Sequence, residues 1–261
     1  MTTIAVAAGR PEGVLRVAAR LTGVQLRVLV REPMATIGTI GFPAMTVLVL
    51  AGVFGKVPDP DFGGVPPSDH YFAGYIGVVL AAMGLITIPV HLATQRELGV
   101  LRRFRASGLN GPTVLACEVA IGAILGTLSV AVVLVLGKLL YGLAAPENLV
   151  GVVLWFLAGM ACFVAIGCAL GTLARSGRGA TALGNVVFIP MFLLGGGGPP
   201  RAVMTPFMRT LSDVLPLSHV VGGLRQSWLG TTDDPTALWW PVLLAIVAVA
   251  AAVSISKRRA V

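Results

Sequence analysis

The sequence predicts an all-α polytopic membrane protein with six transmembrane helices, and two observations support this fold class. Hydrophobic residues make up 56% of the 261 residues and charged residues only 11%, which is more apolar than a soluble domain of this length. In addition, six apolar segments are each close to or longer than the roughly 20 residues with which a helix crosses the hydrocarbon core. These segments are Met34–Gly55, Tyr71–Leu92, Thr113–Tyr141, Leu149–Leu173, Thr181–Gly198 and Ala237–Ile255.

The positive residues predict the orientation of these spans. Fourteen of the 19 Lys and Arg residues fall in the segments 1–33, 93–112, 174–180 and 257–261, which alternate with the other loops. Because Lys and Arg concentrate in cytoplasmic loops, both termini are predicted to be cytoplasmic. The net charge of +8 is therefore explained by topology, and no nucleic-acid partner is expected. We expect a single membrane domain over 1–261, with the spans in 34–256 and a basic tail in 257–261.

The segment before the first span has the pattern of an amphipathic helix. At 100° per residue, Arg16, Arg20, Arg27 and Arg31 fall within a sector of about 60°, and apolar residues lie opposite them. Such a helix lies in the membrane interface, with its cations against anionic headgroups. The alternative is that these arginines only enforce the cytoplasmic location of the segment.

The polar segment between the second and third spans has the composition of a short cytoplasmic helix. Leu98, Leu101 and Phe104 cover about a third of a helical wheel, and Glu97 projects into the same sector. A carboxylate on an apolar face needs a partner, because burying it unpaired is costly. We therefore hypothesise that a protein subunit docks on this helix from the cytoplasm.

A stretch rich in glycine and proline lies before the last span and predicts a broken hairpin on the outer side. The bend residues are Pro190, Gly195, Gly196, Gly197, Gly198 and Pro199. Two short helices are expected at Thr205–Val214 and His219–Leu229, and their backbone must face protein or water rather than lipid. Arg201, Arg209 and Arg225 are expected near the outer headgroups. A simple external loop of about 35 residues is the alternative to this re-entrant or outer-leaflet structure.

In the order and spacing of these motifs, the chain resembles the type-2 family of ATP-binding-cassette (ABC) exporter permeases, in the branch that exports drugs, antibiotics or lipids. The first cytoplasmic loop of this family carries a Glu-x-Gly-x-Leu pattern followed by basic residues, matched here by Glu97, Gly99 and Leu101, then Arg102 and Arg103. The resemblance extends to the leading helix and the hairpin, although the family more often has Ser-Gly where this chain has four glycines.

The resemblance implies a division of labour between subunits. A separate ABC ATPase would bind ATP and Mg, and this chain would bind no cofactor of its own. The ATPase would dock on Arg96, Glu97, Gly99, Leu101, Arg102, Arg103 and Phe104. A second permease chain, identical or different, would complete the pathway in the plasma membrane.

The sequence offers no constellation that predicts catalysis or metal binding. The segment Gly52–Lys56 resembles a phosphate loop only faintly, because its spacing is wrong and no Ser or Thr follows the Lys. His70, His91 and His219 lie in separate regions without other ligands at metal-binding spacing. We therefore expect a transport subunit rather than an enzyme.

Two further features lie within the spans. Glu118 and Lys138 are close to span ends, where their side chains are expected to reach the interface, so no proton-coupling chain is expected. The pairs Gly122/Gly126 and Gly167/Gly171 are expected to allow close helix packing within the chain.

The expected function is the permease subunit of an ATP-driven exporter for a hydrophobic drug, antibiotic or lipid-like substrate. The alternatives are a membrane-embedded enzyme that handles lipids and a membrane scaffold without transport activity.

Overall fold

The structure is a computed structural model that describes Gly23 and residues 33–55, 57–58, 64–100, 111–199, 201–231 and 238–258. Within these residues the regular structure is helical, with no strand. The helices are α1 (Pro33–Phe54), α2 (Pro67–Glu97), α3 (Gly111–Leu136, continued by a π-helical turn Gly137–Tyr141), α4 (Leu149–Leu173), α5 (Gly177–Leu194), α6 (Pro206–Val214), α7 (Pro216–Leu229) and α8 (Trp239–Arg258).

The long helix α2 lies at the centre of the fold. It begins at Pro67, where the fixed φ of proline favours a first helical position, and it ends before Gly99, whose φ of +71° suits a left-handed cap. A π-helical turn at Met83–Thr87 interrupts it without ending it. It packs against α1, α3, α4, α5 and α7, so α2 positions most of the other helices.

Glycines bring α2 and α4 into backbone contact. A Cβ atom at Gly167 would clash with the carbonyl oxygen of Gly84, and one at Gly171 would meet Leu92 Cδ2 at 2.9 Å. A Cβ atom at Gly122 of α3 would meet Ile88 Cδ1 at 2.6 Å. Small residues of this kind let membrane helices approach closely. The prediction that these glycines pack within the chain is confirmed.

Four helical segments are long and apolar enough to cross a membrane: Pro67–Glu97, Cys117–Tyr141, Leu149–Leu173 and Gly177–Leu194. Shorter apolar helices occupy Ala44–Val53 in α1 and Trp239–Ala250 in α8. All six predicted segments are therefore largely helical, whereas six complete crossings stay a prediction.

The predicted boundaries hold best where a cap is visible in the sequence. The segment Leu149–Leu173 matches α4 at both ends, where the Asn148 side chain accepts a hydrogen bond from Gly151 N at 2.9 Å. The prediction for the next span, Thr181–Gly198, lies four residues too late. Helix α5 already begins at Gly177, because Ser176 Oγ accepts a hydrogen bond from Gly179 N at 3.1 Å.

The chain turns sharply between α5 and α6. Pro190 lies inside α5, which continues to Leu194, so the proposal that Pro190 forms part of the bend is wrong. A proline removes only one hydrogen bond from a helix, and here the helix continues past it. The reversal occurs at Gly195–Pro199, where Gly196 has a φ of +105° that favours glycine.

The two short helices predicted before the last span are present as α6 and α7. Helix α6 begins after Thr205, whose hydroxyl accepts a hydrogen bond from Met208 N at 3.5 Å. Helix α7 begins at Pro216 rather than His219, because Pro216 takes the first helical position. It ends at Gly230, with a φ of +69°.

The predicted orientation can be tested with cysteines at two exposed positions on opposite sides of the membrane. Leu98 and Val57 are 68% and 78% exposed, and the positive-inside pattern predicts labelling of Leu98→Cys only from the cytoplasm and of Val57→Cys only from outside. A membrane-impermeant thiol reagent applied to spheroplasts and to inverted vesicles makes the measurement. The unaltered chain, with Cys117, Cys162 and Cys168 buried, is the control. The opposite pattern of labelling would contradict the orientation.

Candidate functional site

The end of α2 binds the end of α4 through Arg96. Its Nη1 atom lies 3.1 Å from Gly171 O, 3.2 Å from Thr172 O and 2.9 Å from Ala174 O. The last carbonyls of a helix have no partner within the helix, and a cation near them is favoured by the helix dipole. Arg96 thus satisfies carbonyl groups that lipid could not.

The next residue, Glu97, binds the start of α5. Its Oε2 atom accepts a hydrogen bond of 3.0 Å from Gly177 N, the first residue of that helix. The first N–H groups of a helix also lack internal partners, and a negative charge is favoured there. The consecutive residues Arg96 and Glu97 therefore hold the two sides of the turn that joins α4 to α5. We call these two side chains and the turn 174–177 the clamp.

The clamp changes the interpretation of Glu97. The sequence predicts that this carboxylate needs a partner outside the chain, but the Gly177 amide supplies one within it, and the carboxylate remains exposed. The structure also places Arg96 and Glu97 at the end of the second span rather than on a separate helix. The span continues five residues beyond the predicted Leu92 because no helix breaker precedes Gly99.

Several predicted site residues fall outside the part of the chain that the structure describes. Of the expected ATPase-docking residues, Arg96, Glu97 and Gly99 are described. The other expected docking residues and the arginines of the interfacial helix lie outside the described ranges: Leu101, Arg102, Arg103, Phe104, Arg16, Arg20, Arg27 and Arg31.

A buried polar cluster joins α2 to α3 one turn before the clamp. The side chain of Glu118 is 1% exposed, and its Oε2 atom lies 2.8 Å from His91 Nδ1. Its Oε1 atom accepts a hydrogen bond of 3.0 Å from Gln95 Nε2. Gln95 Nε2 also lies 3.2 Å from His91 Nδ1 and 3.3 Å from Nε2. The expectation that Glu118 reaches the membrane interface is wrong.

The physical reason is that two polar side chains of α2 face Glu118. Instead of extending towards water, the carboxylate is bound by donors that compensate for its burial. A signal for this cluster exists in the sequence, because His91 and Gln95 are four residues apart and so share one face of a helix. What the sequence does not indicate is that this face meets Glu118.

At the other end of α2, Arg225 of α7 binds the glycine turn. Its Nη2 atom donates to Gly196 O at 2.7 Å, and its Nε atom donates to His70 O at 3.0 Å. Tyr75 donates to Gly197 O at 3.3 Å. Burial lowers the pKa of Arg225 to about 10, which leaves it protonated at pH 7. These donors satisfy the carbonyls that the turn exposes.

The three arginines expected near the outer headgroups differ in their exposure, and their position in the membrane stays a prediction. Arg201 is exposed and forms an ion pair of 2.5 Å with Asp213, and Arg209 is exposed beside it. Arg225 is instead partly buried between α2 and the glycine turn, where a Cβ atom at Gly74 would meet its Nε at 2.6 Å. The absence of a side chain at Gly74 creates the space for the guanidinium group.

The clamp predicts a local effect of Glu97→Ala. Loss of a side chain that caps a helix N-terminus typically costs about 0.5–2 kcal/mol, so amides of 174–180 should exchange with deuterium about 2- to 30-fold faster. Hydrogen–deuterium exchange of the full chain in lipid nanodiscs measures this. Arg175→Ala is the matched control, since Arg175 is an exposed residue of the same turn. Equal exchange in both variants would show that Glu97 does not hold the turn.

Comparison with known proteins identifies the family of this chain. Residues 19–229 match the model of the ABC-2 type transporter family. The chain is also 24% identical, over 180 residues, to the protein "Putative transport permease YvfS" of Bacillus subtilis (strain 168), covering 69% of this chain and 71% of that protein. The match includes α1 to α7, and with them the clamp, the buried cluster and the glycine turn. The chain belongs to the ABC-2 type transporter family and is a transport permease embedded in a membrane.

Proposed function

We propose that this chain is the membrane subunit of an ATP-driven exporter. Two permease chains, either identical or different, enclose one pathway, and a separate ABC ATPase binds ATP and Mg. The family match over 19–229 supports the pairing with an ATPase. The permease itself has no catalytic role in this proposal, and movement of its helices transports the substrate.

The observation that carries this proposal is the clamp. Helix α2 ends on the turn between α4 and α5, where Arg96 binds three carbonyl oxygens and Glu97 binds one amide. A force applied to the segment just after residue 97 therefore acts on three helices together. The segment 96–109 is where the ATPase is proposed to dock. ATP-driven closure of two ATPase subunits would then move α2, α4 and α5 as one group.

The topology proposed for this function has six spans and cytoplasmic termini. Four helical segments have the length and composition of complete crossings, and α1 and α8 contribute shorter apolar segments. The distribution of Lys and Arg supports a cytoplasmic location for the segment after α2, where it can meet an ATPase. The hairpin of α6 and α7 then lies on the outer side.

The proposed substrate is a hydrophobic drug, antibiotic or lipid-like molecule. Large apolar side chains are exposed on α3, α4, α5 and α8, among them Leu128, Leu154, Val186 and Ile246. Surfaces of this kind face lipid, a second permease chain or a hydrophobic substrate, and they do not favour a sugar or a bare ion. Substrate could enter from the cytoplasm or from the inner leaflet.

The docking proposal is tested by co-expressing the chain with candidate ABC ATPase subunits from the same organism. We expect co-purification of the two proteins and faster ATP hydrolysis in the assembled complex. The double variant Leu101→Ala and Phe104→Ala should weaken association about 30-fold or more, since truncating even one hot-spot residue at an interface costs about 2 kcal/mol or more. Arg178→Ala, an exposed residue of α5 outside the turn 174–177, is the control for a change elsewhere on the same side. A double variant that retains full association and hydrolysis would place the docking site elsewhere.

A further inference from the structure

The buried cluster of His91, Gln95 and Glu118 is the part of the membrane domain that the proposed function does not use. Ionisable side chains inside membrane helices are costly, and where they occur they commonly serve a function. Here a carboxylate and an imidazole lie 2.8 Å apart on different helices. The pair links α2 to α3, whereas the clamp links α2 to α4 and α5.

The pair is well placed to hold one proton. With one proton shared between the Glu118 carboxyl and the His91 imidazole, the buried cluster has no net charge. Without that proton the cluster would be a buried anion, and with a second proton a buried cation, and both are unfavourable away from water. The Nδ1–H of His91 and the amide of Gln95 can both donate to the carboxylate.

Titratable and charged groups on α2 and α4 lie near the pair. The Glu118 charge reaches the thiol of Cys168 on α4. Arg96 is directed to carbonyl groups at the end of α4, and Glu97 to the start of α5. The two ionisable groups that lie within hydrogen-bonding distance of each other, and so can share a proton, are His91 and Glu118.

A small cavity lies beside the pair, and its lining is apolar. It has a volume of about 20 Å³ and is lined by α2 and α3, including Met83, Thr87, His91, Glu118 and Leu125. A cavity needs roughly 10–15 Å³ to hold one water molecule. This space excludes a drug-sized ligand, and its apolar lining offers a water molecule too few hydrogen-bond partners. The pair exchanges its proton with water at His91 instead, whose side chain is 31% exposed.

We propose that His91 and Glu118 form a proton-binding latch, which holds α2 against α3 while it keeps one proton and releases that proton to water when the two helices separate. Gln95 positions the carboxylate and binds no proton. This inference goes beyond the proposed function, because it concerns the conformation of the chain itself and holds whatever the substrate. An exporter with this latch has a helix contact that depends on pH, in addition to the helix movement driven by ATP.

The latch makes a signed prediction for pH. Once separated and hydrated, a Glu is ionised at pH 7 and a His is only about a quarter protonated, given their unperturbed pKa values of about 4.3 and 6.5. Separation therefore releases about three-quarters of a proton at pH 7 and almost none at pH 5.5. By linkage, each pH unit above about 6.5 should multiply the ratio of separated to closed helices by a factor that approaches ten, as long as the closed pair keeps its proton.

Replacing the carboxyl group by an amide should reverse this dependence. In Glu118→Gln the side chain keeps its size and hydrogen-bonding oxygen but cannot bind a proton, so the neutral closed cluster contains a neutral His91. Separation then takes up a proton below about pH 6.5. The separated population of this variant should rise as the pH falls, whereas in the unaltered protein it rises as the pH increases.

The experiment measures the distance between α2 and α3 by pulsed electron paramagnetic resonance in lipid nanodiscs. Spin labels are attached to noncanonical amino acids at Leu98 and Ile124, which are 68% and 42% exposed, so the native cysteines remain. The full chain is measured between pH 5.5 and 8.5, together with Glu118→Gln. Opposite pH slopes in the two proteins support the latch. Equal slopes, or no pH dependence in the unaltered protein, overturn it.

A second variant keeps the proposal falsifiable if Glu118→Gln does not fold. In His91→Gln the closed neutral cluster holds its proton on Glu118 itself, so the rise in the separated population should begin about two pH units lower, near the unperturbed value of a Glu. The infrared absorption of a protonated carboxyl group provides an independent readout of the proton on Glu118. The absorption is assigned to Glu118 if it is lost in Glu118→Gln, or if it persists to a higher pH than the absorption of the other carboxyl groups. A His91→Gln protein whose pH midpoint is unchanged would overturn the latch.

Discussion

The hydrogen bonds of Arg96 and Glu97 to the α4–α5 turn are the interaction on which the arrangement of the helices at the C-terminal end of α2 depends. Helix ends expose carbonyl and amide groups that lipid cannot satisfy, and two successive residues of α2 satisfy groups of both kinds. Arg96 lies at the C-terminal carbonyls of α4, and Glu97 lies at the first amide of α5. Each charge has the sign that the adjacent helix dipole favours.

The same helix makes two further polar contacts, and the three differ in character. Near its N-terminal end, Arg225 donates to His70 O and Gly196 O, and Tyr75 donates to Gly197 O. In its C-terminal half, His91 and Gln95 bind Glu118 of α3. The clamp and the contact of Arg225 bind backbone groups, which do not titrate, so they should persist at any pH near neutrality. The contact with Glu118 depends on a shared proton, so we propose that it is releasable.

The positions of these three contacts along α2 suggest which helices move together and which can separate. Beyond the π-helical turn at Met83–Thr87, the inner part of α2 packs mainly on α4 and α5. Gly167 and Gly171 deepen that packing, because a Cβ atom at either position would crowd α2. A load on the end of α2 would therefore move α4 and α5 with it, and α3 could separate from this group at the Glu118 contact.

The sequence predicts local features of this fold well and its long-range pairings poorly. The bounds of Leu149–Leu173 are predicted at both ends, because apolar length and a capping Asn148 are local properties. The two short helices of the hairpin are also recognisable, from prolines that begin helices and glycines that end them. The partners of Glu97 and Glu118 are not predictable in this way. They lie 80 and 27 positions away, and helical periodicity indicates which residues share a face but not which neighbour that face meets.

The most direct test of this account measures two distances in the transporter assembled with its ATPase. Spin labels at Leu98 and Leu183 report the separation of α2 from α5, and labels at Leu98 and Ile124 report the separation of α2 from α3. All three residues are exposed. On binding of a non-hydrolysable ATP analogue, the account predicts an unchanged distance between α2 and α5 and a changed distance between α2 and α3. A change between α2 and α5, with none between α2 and α3, would contradict it.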